Sequence, residues 1–373
     1  MSTAKILGAP GRYIQGYKEL ENISEYVSWM GVSFLIVISK NGMKRFADIM
    51  AESFKDSGCK LYFEIFNGEC TRQEVSRLSE IAKEKQCKAV IGVGGGKILD
   101  TAKAIANKDN ANLHVVIVPT IASNDASTSA LSALYNDDGT LDEIIFFKRN
   151  PDVVLVDTKI IVESPPRYLI AGMGDALSTY FGARVCVESY RKNYLDGFFT
   201  KTSYSLAKLS YQLLLEYGVQ AKLAIEQQRI TKALEYVIEA TILLSGIGFE
   251  SNGISADHAI LFGFAELTNR KHALHGEYVS FCTMAMLVLE GRPKEEIDEM
   301  MKLCMSLGLP MTLEDLNLGD ITEEELKIVG EGTCVPQQTV HNEPFRVMSE
   351  DIVSAVKITD SIGKQYKQGI YLV

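Results

Sequence analysis

The stretch Lys88-Ala-Val-Ile-Gly-Val-Gly-Gly-Gly-Lys-Ile-Leu-Asp-Thr-Ala-Lys103 decides the fold. Its run from Ala89 to Val93 is apolar and rich in β-branched residues, which predicts a buried strand. The run enters Gly94-Gly95-Gly96, beyond which Ile98, Leu99, Ala102 and Ile105 recur at helical spacing. A strand, a glycine turn and a helix in that order present free backbone N–H groups at a helix N-terminus, where phosphate binds well. Successive glycines also remove every Cβ that would hold a pyrophosphate off the backbone. Two common glycine loops are excluded by spacing. A P-loop needs glycine and Ser or Thr at positions that Ile91 and Ile98 occupy. The fingerprint Gly-x-Gly-x-x-Gly from Gly92 needs glycine where Lys97 stands. The turn is therefore a phosphate cradle of a third kind, or a strand-to-helix turn without a ligand.

Around this stretch, short apolar runs alternate with helical ones. Phe34–Ile38, Leu61–Phe66 and Leu113–Pro119 read as strands, and Met43–Phe54 as a helix. A further helix opens after Thr71, with Glu74 three residues on as a capping box. Such βαβα alternation predicts a mostly parallel sheet with helices on both faces. Ile144–Phe147 and Val153–Asp157 add strands whose pairing the sequence leaves open. After Pro165-Pro166 helical periodicity runs almost to the end, as in 203–217, 229–245, 279–289 and 352–366. The expectation is an α/β dinucleotide-binding domain over residues 1–164 and an all-α domain over residues 165–373.

Composition narrows the function. With 46% apolar and 23% charged residues the chain can bury a large core, and a formal charge of −10 argues against a nucleic-acid surface. No stretch is apolar enough to span a membrane, and the first residues lack the apolar region of a signal peptide. The 7 cysteines are odd in number and form no Cys-x-x-Cys pair, which suggests reduced thiols in a cytoplasmic protein.

In doubly wound sheets, ligands bind outside the carboxyl ends of the strands. The loop Thr120-Ile-Ala-Ser-Asn-Asp-Ala-Ser-Thr-Ser129, rich in hydroxyls and amides, is expected near the glycine turn. Asp175, inside Ala171-Gly-Met-Gly-Asp-Ala-Leu177, is a carboxylate in an apolar, glycine-rich setting, which carboxylates avoid unless paired or metal-bound. His258 and His275 have small or apolar neighbours, His272 lies near the latter, and one carboxylate with two imidazoles is the composition of a catalytic zinc site. Spacing alone favours a helix-capping aspartate and two core or surface histidines.

Motifs along nearly the whole chain resemble the iron-containing (polyol) alcohol dehydrogenase family, its glycerol dehydrogenases in particular. They include Pro10-Gly-Arg-Tyr-Ile-Gln-Gly16, Asn67-Gly-Glu-Cys70, the glycine stretch, Val118-Pro-Thr-Ile-Ala-Ser-Asn-Asp125 and Val156-Asp-Thr-Lys159. Ala171–Ala176, Gly246-Ile-Gly-Phe-Glu-Ser251, Ala256-Asp-His-Ala259 and His275-Gly-Glu277 complete them. The resemblance implies the same two-domain architecture, NAD as cofactor, a small polyol or hydroxyketone as substrate, and a homo-oligomer from dimer to octamer. It implies a divalent metal on Asp175, His258 and His275. Iron-type members carry a further histidine where Thr179 stands, so zinc is the expected ion. It places Gly95, Gly96 and Lys97 on the pyrophosphate, with Asp100, Thr120, Ser123, Ser129, Leu131 and Tyr135 lining the dinucleotide site and Asp125 facing the substrate. The implied chemistry is hydride transfer to nicotinamide from an alcohol activated by a Lewis acid.

Two stretches depart from the family pattern. Ser39 stands where an aspartate normally receives the adenosine ribose, which removes a repulsion against a 2′-phosphate and makes NADP the alternative cofactor. Leu261 and Phe262 replace a histidine and an asparagine after His258, which predicts a less polar pocket and a different alcohol as an alternative substrate. A sugar-phosphate lyase relative of the same superfamily would need more basic residues than Arg270 and Lys271, and a catalytically altered nucleotide-binding relative is the non-enzyme alternative.

Overall fold

The computed structural model describes residues 3–270 and 273–371. In chain order the first part comprises β1 (Arg12–Gly16), α1 (Ile23–Val27), β2 (Ser33–Ile38), α2 (Lys40–Phe54), β3 (Lys60–Ile65), α3 (Arg72–Glu84), β4 (Ala89–Gly94) and α4 (Gly96–Asn107). It continues with β5 (His114–Pro119), β6 (Leu131–Tyr135), β7 (Leu141–Phe146), β8 (Val153–Asp157) and α5 (Thr158–Val162). Helices come next: α6 (Pro166–Glu188), α7 (Lys201–Glu226), α8 (Lys232–Glu239), α9 (Ser245–Asn252), α10 (Ala256–Ala265), α11 (His275–Leu289), α12 (Lys294–Leu307), α13 (Glu323–Thr333) and α14 (Ser349–Lys367).

Six strands form one parallel sheet in the order β1-β8-β5-β4-β2-β3. Every residue of β2, β4 and β8 is buried, because helices cover both faces. Leu35 and Val37 point to the core under α3 and α4, whereas Phe34, Ile36 and Ile38 point to the core under α1 and α2. Since α2 and α4 lie on opposite faces, the strand order reverses between the neighbours β2 and β4, opening a crevice at their carboxyl ends. Ser39 and Gly95 flank that crevice.

The structure extends and corrects the expected elements. β1 pairs with β8 at the sheet edge, yet its sequence Arg-Tyr-Ile-Gln-Gly carries no apolar run to announce it. The strand expected at 144–147 is β7 over 141–146, and it leaves the main sheet to pair antiparallel with β6. Thr71 does cap α3 through the Glu74 N–H, but Glu74 does not return the bond: its carboxylate serves Asn67 and Arg77 instead. Residues 4–8 precede the sheet and run along the helical half. The Phe198 N–H donates to Ala4, Ile6 donates back to Phe198, and the Gly8 N–H donates to Ser251 Oγ.

Candidate metal and nucleotide site

The glycine turn and the hydroxyl-rich loop meet as the strand register requires. Gly94 and Pro119 are partners at the ends of β4 and β5, and the Thr120 N–H donates to the Gly94 carbonyl at 2.9 Å. Gly95 caps α4 in extended conformation (φ −88°, ψ 179°), leaving the first N–H groups of that helix facing the crevice. Lys97 is an exposed side chain that pairs with Glu69 and lies 5.9 Å from the Tyr135 ring centroid. Ser39 caps α2, its hydroxyl accepting from the Gly42 N–H at 3.0 Å. Thr120, Ser123 and Leu131 are partly exposed, whereas Asp100 and Ser129 are buried. Asp100 spends its carboxylate on the Ala133 N–H and on Lys103, and Lys103 donates to the Ala126 carbonyl at 2.8 Å. A buried ion pair thus ties α4 to the loop that carries Asp125.

Three helices build the metal candidate. Asp175 lies in the middle of α6, His258 in the first turn of α10, and His275 begins α11. Close backbone approach brings them together: a Cβ on Gly276 would lie 1.8 Å from the Ala171 carbonyl oxygen, and one on Gly172 would lie 2.0 Å from that of Ala122. Only glycine leaves room there, so α11 and the 120–125 loop both press directly onto α6. Arg167 and Glu277 reinforce the crossing with a bidentate pair at 2.6 and 2.8 Å. As a result His275 Nε2 stands 3.2 Å and His258 Nε2 3.9 Å from Asp175 Oδ1, and one ligand atom from each residue lies within 4.8 Å of the other two.

The surroundings fit a cation. Asp175 and Asp257 are 2% and 0% exposed, Asp125 is close by, and among the described residues no lysine or arginine comes within ion-pair distance of the three carboxylates. His258 Nδ1 lies 2.8 Å from Asp257 Oδ2, the outer carboxylate that fixes ring tautomer and orientation in metal sites. Burial opposes the charge on His258, but Asp257, then Asp175 and Asp125, hold its pKa up at about 9. Burial, then the charge of Asp175, push Asp125 well above the usual carboxylate range. Asp175 is held below that range despite its burial, by His275 and then His258. Negative charge is in excess here, which is what a divalent ion offsets.

Sequence reasoning missed Asp257, Ser245 and Lys103. Asp257 left a signal, a carboxylate directly before a proposed ligand. Ser245 Oγ donates to Asp125 Oδ2 at 2.6 Å, and the Asp125 N–H donates to Asp175 Oδ2 at 3.2 Å. Thr179, which stands where iron-type members carry histidine, bonds Ser245 at 2.7 Å. Leu261 packs against the main core. Lys271 and His272 lie outside the described residues.

Comparison with known proteins shows the family. Residues 10–158 match the iron-containing alcohol dehydrogenase family. A glycerol dehydrogenase of Thermotoga maritima is 44% identical over 96% of this chain and 97% of its own length. The chain belongs to the iron-containing alcohol dehydrogenase family. Glycerol dehydrogenase of Escherichia coli O6:H1 is 41% identical over 98% of this chain and 99% of its own. The crystal structure of glycerol dehydrogenase from Schizosaccharomyces pombe superposes with a TM-score of 0.93 at 32% identity, over 99% of this chain and 94% of that one. The chain is accordingly an alcohol dehydrogenase enzyme whose fold is that of this family.

Proposed function

We propose that this enzyme is a zinc-dependent oxidoreductase moving a hydride between NAD(H) and a small polyol or vicinal diol, as in glycerol to dihydroxyacetone. The convergence of Asp175, His258 and His275 carries this reading, because their burial, spacing and Asp257 support suit a catalytic zinc. Zinc held there would supply Lewis-acid activation of a hydroxyl, and the nicotinamide would supply the hydride acceptor. The chain's own residues do the positioning. Residues 1–164 hold the dinucleotide, with Gly95, Gly96 and Lys97 at the pyrophosphate and Thr120, Ser123, Leu131 and Tyr135 along the crevice. Asp100 and Ser129, both buried, act by shaping that wall. Residues 165–373 supply the metal ligands, and Asp125 accepts a hydrogen bond from a second substrate hydroxyl. Exclusion of water and fixed orientation account for the rate these groups contribute.

Ser39 supports a second cofactor: with no carboxylate at the end of β2, NADP is accepted alongside NAD. Arg270 counts against a sugar-phosphate substrate, since its guanidinium is already committed to Asp320 and Glu325 at 2.7 to 2.9 Å. A homo-oligomer is supported by the exposed apolar stripe Leu209, Leu215, Val219 and Leu223 on α7. The test is to measure metal content and then NADH formation with a panel of diols and hydroxyketones. About one zinc per chain and turnover abolished by chelator are expected. A protein that takes up no metal and oxidises no diol would overturn the reading.

A further inference from the structure

Asp125 is gripped at two points. Its backbone N–H donates to Asp175 Oδ2 at 3.2 Å, and its carboxylate receives the Ser245 hydroxyl at 2.6 Å. The Ser245 hydroxyl also meets Thr179 Oγ1 at 2.7 Å, so a chain of two hydroxyls backs the Asp125 carboxylate. Ser245 is 0% and Thr179 1% exposed, so no water competes for these bonds.

Local structure aims the two hydroxyls. Ser245 comes directly after a π turn, Ala240–Leu244, that interrupts the helix between α8 and α9. One added residue per turn rotates the helix beyond it by about 100° relative to an unbroken α-helix, and such turns recur at functional sites. Thr179 lies one turn after Asp175 on α6, on the same face. A single helix face thus carries a proposed metal ligand and the far end of the hydroxyl chain.

We infer that Ser245, backed by Thr179, is the positioning residue that holds the Asp125 carboxylate toward the second hydroxyl of a diol; this rests on the polyol reading above. Without Ser245 the carboxylate can rotate away, and the enzyme loses its preference for diols over simple alcohols rather than its turnover in general.

The experiment uses the full-length enzyme and the variants S245A, T179V, T179S and D125N. Crystals of metal-free S245A are expected to show the Asp125 carboxylate displaced. With zinc and NAD supplied, kcat/KM for 1,2-propanediol is expected to fall about 10- to 100-fold in S245A, while that for 1-propanol holds within about 3-fold. T179V resembles S245A to a smaller extent, T179S regains the parent values, and S245A adds nothing to D125N. An unmoved carboxylate, or an equal loss on both alcohols, overturns the inference. Should the carboxylate move while S245A and D125N both keep the parent's diol preference, the polyol role of Asp125 is what has failed, and Ser245 stands as the group that holds it.

Discussion

His258 and Asp257, neighbours in sequence, are bonded through Nδ1 and Oδ2 at 2.8 Å, which leaves Nε2 of the same ring facing Asp175. A carboxylate in this position orients the imidazole and makes it a better ligand. Asp257→Asn keeps the shape and can still accept from the Ser255 N–H, a bond of 2.8 Å in the parent. Zinc affinity, read by competition with a chelator, is expected to fall about 10- to 100-fold with little change in Tm. Unchanged affinity would detach Asp257 from the metal.

Gly276 should tolerate no side chain. A Cβ there would lie 1.8 Å from the Ala171 carbonyl and 2.9 Å from the Asp175 backbone nitrogen, so α11 would have to back away from α6. Gly276→Ala is expected to cost about 1–3 kcal/mol in denaturant unfolding. It should also abolish stoichiometric zinc binding, because His275 moves with the helix. A variant that keeps both parent stability and parent metal content would contradict the close crossing.

Glu343 gives the metal-free protein a pH dependence. It is 2% exposed, one carboxylate oxygen lacks a hydrogen-bond partner, and the other accepts from Ser255. Burial, then the charge of Glu290, raise its pKa to about 7, against about 4.3 for an unfolded glutamate. Between those values the folded chain binds more protons than the unfolded one, so stability falls as pH rises through that window. Glu343→Gln removes this loss, and its advantage over the parent should grow by on the order of 1–3 kcal/mol from pH 4 to pH 8. Parallel unfolding curves at the two pH values would assign the slope to other groups.

Ser39 tests cofactor choice without disturbing the fold, because aspartate caps a helix as well as serine does. Ser39→Asp should leave Tm unchanged and raise the ratio of NAD to NADP kcat/KM by about 10- to 100-fold. If the parent enzyme already rejects NADP strongly, the discrimination lies elsewhere in the crevice.

The parts legible in the sequence were those whose signal is local. β4, its glycine turn and α4 announce themselves through an unbroken apolar run and helical spacing, and Asp175 stands out because a carboxylate rarely sits among glycines. Strand β1 was hidden because Arg12–Gly16 owe their conformation to β8, over a hundred residues away. The histidines were joined to Asp175 by the family resemblance and not by their spacing, since their meeting depends on how α10 and α11 pack on α6. Ser245 was invisible for a related reason: a π turn resets the helical phase on which any reading by period depends.

Residues 4–8 lie along the helical half before the chain enters β1, and α6 takes the chain back after β8. The two crossings between sheet and helices lie side by side, because β1 and β8 are neighbours at one edge of the sheet. A body held by two cords cannot swivel freely: it can swing only about the line that joins them. If the crevice widens to admit a dinucleotide, that axis is already drawn, and the Gly8–Ser251 bond lies next to it.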